Sequence, residues 1–205
     1  MLDVIPNSER DDTRVWPIQL SLTYSSSVPW GLHRFHQSRQ THFITFSCDK
    51  RKPFLQESQK KRIFEIVLEE MRRLYRFRIY GYVIMPEHVH LLVSEPERRT
   101  LATAIQALKQ AVSRRCSDAP KPFWETRYYD HNVDSYEDFV VKLRYIHRNP
   151  VKRELSEKPE EWRWSSFWHY ASGEEGVVEI ESEWTARRRE RDSANHEKPH
   201  PSNGS

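Results

Sequence analysis

Short aromatic and β-branched runs alternate along the chain with amphipathic stretches, in the order strand, helix, strand, strand, helix, strand, and then one further helix. This order predicts an α+β fold on the ferredoxin-like split βαβ plan, an antiparallel sheet with helices on one face. Three observations carry the prediction. Residues 42–48, 77–85, 89–93 and 123–133 read as strands, residues 55–74 and 100–115 repeat apolar side chains at three- and four-residue spacing, and a last helical pattern starts near Ser135.

Taken in order, His42-Phe43-Ile44-Thr45-Phe46-Ser47-Cys48 is short, aromatic and β-branched, hence a strand. The next stretch sets Ile63, Ile66, Val67, Met71 and Leu74 at helical intervals, with Lys60-Lys61-Arg62 and Arg72-Arg73 in charged positions. Residues 77–85 and 89–93 flank Pro86-Glu87, punctuation for a tight or bulged connection. Leu101, Ile105, Leu108 and Val112 stripe a second helix, which Asp118-Ala119-Pro120-Lys121-Pro122 ends. The fourth strand opens at Phe123-Trp124. Ser135 then fits an N-cap, with Asp138 at the capping-box position where Glu or Gln is usual, and Phe139, Val140, Leu143 and Ile146 form the apolar stripe of the extra helix. A sheet so covered keeps one free face.

The domain reading follows from these signals. Residues 1–30, with Pro6, Pro17, Pro29 and Ser25-Ser26-Ser27, are a loosely ordered lead-in; residues 31–172 form one domain; residues 173–205 are an extension expected to lack stable structure from about residue 183. Charged residues make up 31% and apolar ones 37% of the 205 residues, which implies an ionic surface around a small core filled out by 7 Trp, 9 Tyr and 9 Phe.

The formal charge of +3 conceals an asymmetry, because residues 31–170 hold 26 Lys and Arg against 18 Asp and Glu. That surplus suits a polyanion such as nucleic acid, and equally suits a solvated ionic surface. Cys48 and Cys116 lack CxxC spacing, so neither a zinc knuckle nor a disulfide framework is indicated. No apolar run reaches the roughly 20 residues of a membrane span, and the start is not a signal peptide; the expected setting is cytoplasmic, with the nucleoid. With five glycines and no GxGxxG or GxxxxGK[ST], phosphate cradling by a glycine loop is excluded.

The chemistry concentrates at His88-Val89-His90. Strand alternation puts both imidazoles on one face while Val89 enters the core, so the histidines look outward, as half of a metal site or as an ordinary pair. Downstream, Tyr145 and Asn149 are four residues apart and share a face of any helix they occupy. Each has a plain reading too, a packed tyrosine and a helix-ending Asn149-Pro150. Together, a metal-binding pair and a nucleophilic phenol are the equipment for cutting one DNA strand while holding its phosphate covalently. His147 is offset by two residues and points elsewhere; Glu87 and Asp130 are the acidic neighbours, read by default as solvated surface, with the orienting of a histidine as the alternative role.

Pro86-Glu87-His88-Val89-His90-Leu91-Leu92, Phe123-Trp124-Glu125, Tyr145-Ile146-His147-Arg148-Asn149-Pro150-Val151-Lys152 and Trp162-Arg163-Trp164-Ser165-Ser166-Phe167 occur in matching order over residues 32–170. In this the chain resembles the REP-associated tyrosine transposases, single-tyrosine transposases of the HUH endonuclease superfamily. The resemblance implies that His88 and His90 are metal ligands, that Tyr145 is the nucleophile, and that Asn149 is the third ligand, where wider relatives carry Gln or His. It also implies a divalent cofactor, Mg²⁺ or Mn²⁺, and transposition of single-stranded or hairpin DNA built on REP-like palindromes, through a 5′-phosphotyrosine.

Basic residues expected to meet that DNA are Lys50, Arg51, Lys52, Arg114, Arg115, Arg144, Arg148, Lys152 and Arg153. A domesticated hairpin-binding module without cleavage is the competing reading, and a zinc hydrolase the third, although no HExxH supports it. Monomer and homodimer stay equally open, as do active sites built within one chain or across two.

Overall fold

The structure, a computed structural model, describes residues 41–196; the lead-in expected over residues 1–30 lies outside the described residues. Strands β1 (Thr41–Ser47), β2 (Ile79–Ile84), β3 (His88–Ser94) and β4 (Tyr129–Asn132) alternate with α1 (Ser58–Tyr75) and α2 (Leu101–Arg115), and α3 (Tyr136–Lys152) follows. The sheet order is β2-β3-β1-β4 and every neighbouring pair is antiparallel, the expected α+β architecture.

Alternation divides β3 between two cores. Val89, Leu91 and Val93 join Ile44, Phe46, Tyr82 and Ile84 beneath α1 and α2, while Leu92 turns to the other face with Phe43 and Val83. That second face is not free, because Phe139 and Ile146 of α3 pack on it. Gly81 permits the close approach: a Cβ there would stand 2.7 Å from Leu143 Cδ1, and β2 carries an irregularity of register between Ile79 and Gly81.

Several local expectations are corrected. In α1 the buried side chains are Lys61, Phe64, Glu65, Val67, Leu68 and Glu69, whereas Ile66 and Leu74 are 38% and 53% exposed. An apolar count misses this face because its polar members have partners: Tyr82 Oη donates to Glu65 at 2.8 Å, and Arg72 and Arg73 grip Glu69. β4 begins only at Tyr129; Trp124 keeps a lone bridge to Cys48, Glu125 N still donates to Ser47 O at 2.9 Å, and the ladder is then interrupted where Lys109 Nζ takes the carbonyls of Glu125 and Thr126.

At the start of α3, Ser135 Oγ accepts from Asp138 N at 3.0 Å, but the Asp138 carboxylate pairs with His131 rather than completing a box. Asn149-Pro150 does not end the helix, which runs on to Lys152.

The extension is also ordered past residue 183. Val178 and Ile180 enter the core, Glu181 N donates to Ile79 O at 2.8 Å along the outer edge of β2, and α5 (Glu183–His196) follows the short α4 (Phe167–Ser172). Two apolar anchors suffice because Arg189 holds Glu179 and Glu181. Residues 164–166 cover the same edge through Ile84 N to Trp164 O and Ser166 N to Tyr82 O, so β2 presents no open ladder there. No helix among the described residues is long and apolar enough to cross a membrane.

Candidate active site

The register of β1 against β3 sets Thr45 opposite His90 and Ser47 opposite His88. Covered by α3, both histidines are 4% exposed rather than facing outward. Their Nε2 atoms stand 3.0 Å apart, and each Nδ1 has a polar partner on its far side: Glu87 Oε1 at 3.1 Å for His88, Thr45 Oγ1 at 2.7 Å for His90. A carboxylate can only accept, so His88 carries its proton on Nδ1 and leaves Nε2 bare. Thr45 Oγ1 can donate to or accept from His90 Nδ1, and the two Nε2 atoms converge at hydrogen-bonding distance with the His88 lone pair turned toward His90. Burial first, then the neighbouring His88 and Arg51, holds the His90 imidazole well below its ordinary value and uncharged.

α3 brings Tyr145 to this pair within the same chain. Its ring centroid lies 5.1 Å from that of His90 at an interplanar angle of 75°, and 5.8 Å from Phe43. Lys152 Nζ stands 5.5 Å from the Tyr145 ring centroid. One turn beyond Tyr145, Asn149 is 4% exposed and its Oδ1 has no hydrogen-bond partner among the described residues. One turn further, Arg153 reaches Glu87 at 3.0 Å. The helix face Tyr145, Asn149, Arg153 is therefore tied to the histidine strand at its two ends, Tyr145 at His90 and Arg153 at Glu87 just before the strand, with Asn149 midway between them in sequence.

No three His, Cys, Asp or Glu side chains among the described residues are grouped as a metal ion would need. A third donor would then be of another type, and the unsatisfied buried amide oxygen of Asn149, one turn beyond Tyr145 on the helix that covers the histidines, is of a suitable one. The donor set fits a divalent cation.

Glu87, expected on the solvated surface, is instead only 12% exposed in its side chain. Its hydrogen bond to His88, helped by the charge of Arg153 and opposed by burial, pulls the carboxyl down to about 2. Asp130 belongs elsewhere, 2.9 Å from His42. His147 faces away, with Nε2 2.9 Å from Ser166 Oγ and its ring against Phe167 and Tyr170.

Of the basic candidates, Arg51, Lys152 and Arg153 gather at the site. Lys50 and Lys52 flank Arg51, and Arg144 and Arg148 are exposed on α3. Arg114 and Arg115 end α2 on the opposite face of the sheet, where Arg115 pairs with Glu70 at 2.7 Å. Sequence reasoning left out Thr45, whose place depends on register alone, and took solvated surface over histidine orientation for Glu87, whose only signal was adjacency to His88.

An antiparallel split-βαβ sheet with a buried His-x-His strand and a tyrosine helix laid across it defines a class, and the chain belongs to it: it is a member of the family described as Transposase IS200 like, matched over residues 36–149. It is similar to the REP-associated tyrosine transposase of Escherichia coli (strain K12), 24% identical over 135 residues, which are 65% of this chain and 80% of that protein. A Haemophilus influenzae relative described in the same terms is 30% identical over 106 residues, 45% of this chain and 60% of the relative. The fold matches the structure of a REP-associated tyrosine transposase bound to a REP hairpin, with a TM-score of 0.59 and 21% identity over 70% of this chain and 86% of that one.

Proposed function

We propose that this transposase cleaves one DNA strand through a covalent 5′-phosphotyrosine on Tyr145 and rejoins it to another end. The observation that carries the reading is the Tyr145 ring lodged against His90 in its own chain. Tyr145 Oη forms the new bond to phosphorus as the bond to the upstream 3′ oxygen breaks; the phenol gives up its proton and the leaving oxygen takes one up. A 3′ hydroxyl attacking the phosphotyrosine reverses these steps, so cleavage and strand transfer are one chemistry.

His88, His90 and Asn149 would hold a divalent cation, Mg²⁺ or Mn²⁺, which supplies positive charge to the nonbridging oxygens of the scissile phosphate. Lys152 Nζ, over the Tyr145 ring, adds positive charge close to the nucleophile. Burial keeps His90 neutral, as a donor must be.

The substrate we assign is single-stranded DNA beside a hairpin of the REP-like palindromic kind. The named relatives and the hairpin-bound fold neighbour support that choice. Arg51 and Lys152 are the residues we assign to its phosphates, Arg153 being committed to Glu87. Nucleoid DNA would be the site of action.

The experiment is direct. Full-length protein, a labelled hairpin oligonucleotide with an unpaired flank, and Mg²⁺ or Mn²⁺ should give a protein-linked band on a denaturing gel, and Tyr145→Phe should remove it while hairpin binding persists. Binding without any band would leave a hairpin-binding module, and product without adduct a hydrolase.

A further inference from the structure

A single oxygen gathers the three segments that build the site. Glu87 Oε1 accepts from His88 Nδ1 at 3.1 Å and from Arg153 Nη2 at 3.0 Å, and Arg51 Nη2 stands 3.8 Å away. His88 belongs to β3, Arg153 caps the end of α3, and Arg51 lies in the turn after β1.

The carboxylate is anchored from behind. Cys48 N donates to Glu87 O at 2.8 Å and Leu55 N to Pro86 O at 2.9 Å, so the connection that bears Glu87 has little freedom to retreat. Arg153 N donates in turn to Asn149 O at 3.0 Å, tying the guanidinium to the residue that carries the orphaned amide. The turn holding Arg51 is itself constrained: Lys50 and Arg51 both have φ of 51°, a left-handed conformation uncommon for side-chain-bearing residues. It is kept by Lys50 N donating to Glu125 Oε1 at 2.7 Å and Asp49 N to Phe123 O at 2.9 Å.

We propose that Glu87 is a positioning residue that fixes the tautomer and rotation of His88 and, through Arg153, sets the depth at which the Tyr145 helix lies over β3. The proposal rests on the reading of His88 as a cation ligand. An acceptor-only partner on Nδ1 directs the bare Nε2 toward His90, the arrangement by which outer groups orient a ligating imidazole. The Arg153 link contributes little stability, since that guanidinium is 53% exposed. Its effect is geometric: a carboxylate already committed to an imidazole offers the arginine one place to dock, and that place registers α3 against the histidine strand.

The test uses the full chain and a readout that needs neither metal nor turnover. Imidazole ¹⁵N NMR, with the His88 signal assigned by its loss in His88→Gln, should show the Nδ1–H tautomer alone in the parent protein. Glu87→Ala should turn it into a mixture, and Glu87→Gln, which keeps an acceptor oxygen, should restore it.

In adduct assays Glu87→Ala should raise the Mn²⁺ concentration for half-maximal cleavage by about 10- to 100-fold, with hairpin affinity unchanged. Arg153→Ala should leave the tautomer intact, lower kcat about tenfold at unchanged KM, as expected when only transition-state placement is lost, and recover most of it as Arg153→Lys. A parental tautomer and parental Mn²⁺ dependence in Glu87→Ala would overturn the proposal. So would a loss confined to KM in Arg153→Ala, which would make that residue a plain phosphate contact. If the parent protein forms no adduct at all, the cleavage reading fails while the tautomer result still decides the role of Glu87.

Discussion

Tyr145 and His90 face each other edge to face within one chain, centroids 5.1 Å apart, although 55 positions separate them in sequence. The proposed nucleophile and the histidine pair thus lie together within this one chain.

Mixing variants tests this cis assembly. Tyr145→Phe and His90→Ala chains should each lack adduct, and an equimolar mixture should stay without it, because neither chain can lend the missing group to the other. Adduct restored to a quarter or more of the parental yield on a denaturing gel would show that the tyrosine helix is exchanged between copies.

Asn149 should trade stability against activity. Its buried Oδ1 has no partner among the described residues, so the near-isosteric Asn149→Leu should raise metal-free stability by about 1–3 kcal/mol, the cost of a buried unsatisfied polar group. The same change should abolish cleavage. Urea unfolding in EDTA measures the first effect and adduct yield the second; a destabilised variant would mean that the amide is already satisfied.

Gly81 controls how closely α3 approaches the sheet. A methyl group there meets Leu143 Cδ1 at 2.7 Å, so Gly81→Ala should cost about 1–3 kcal/mol as overpacking and lower the cleavage rate through the displaced tyrosine. Gly81→Ala with Leu143→Ala should recover activity beyond the additive expectation. Parental rates in the single variant would show that Leu143 yields without moving the helix.

Stability should fall on mild acidification. Burial pushes His147 down to about 3 in the folded protein, so below about 6.5 the unfolded chain binds a proton that the folded one refuses. The sign follows: stability holds its full value above about pH 6.5 and declines as pH drops toward 3, by up to about 1.4 kcal/mol per unit from this group. His147→Gln cannot titrate and should flatten the slope in urea melts between pH 7.5 and 4.5. An unchanged slope would assign the effect to other groups.

Element order, the His-x-His strand and the Tyr145–Asn149 spacing were legible because periods of two and 3.6 place side chains locally, and the domain resemblance rests on the same strings. Errors arose where burial depends on partners distant in sequence. Ile66 and Leu74 were counted into a core that instead takes Lys61, Glu65 and Glu69; the segment from about residue 183 was judged to have little to bury, yet it forms a helix, and Glu181 just before it bonds to β2.

The sequence by itself determined which groups exist and which local face each occupies: two imidazoles on one side of a strand, a phenol and an amide on one side of a helix. Only the tertiary structure decided that these two faces oppose each other across a closed interface, that Thr45 backs His90, and that Glu87 collects His88 and Arg153. Strand register and helix seating are set by packing between segments far apart along the chain, at Gly81 and in the second core, and no local period encodes them.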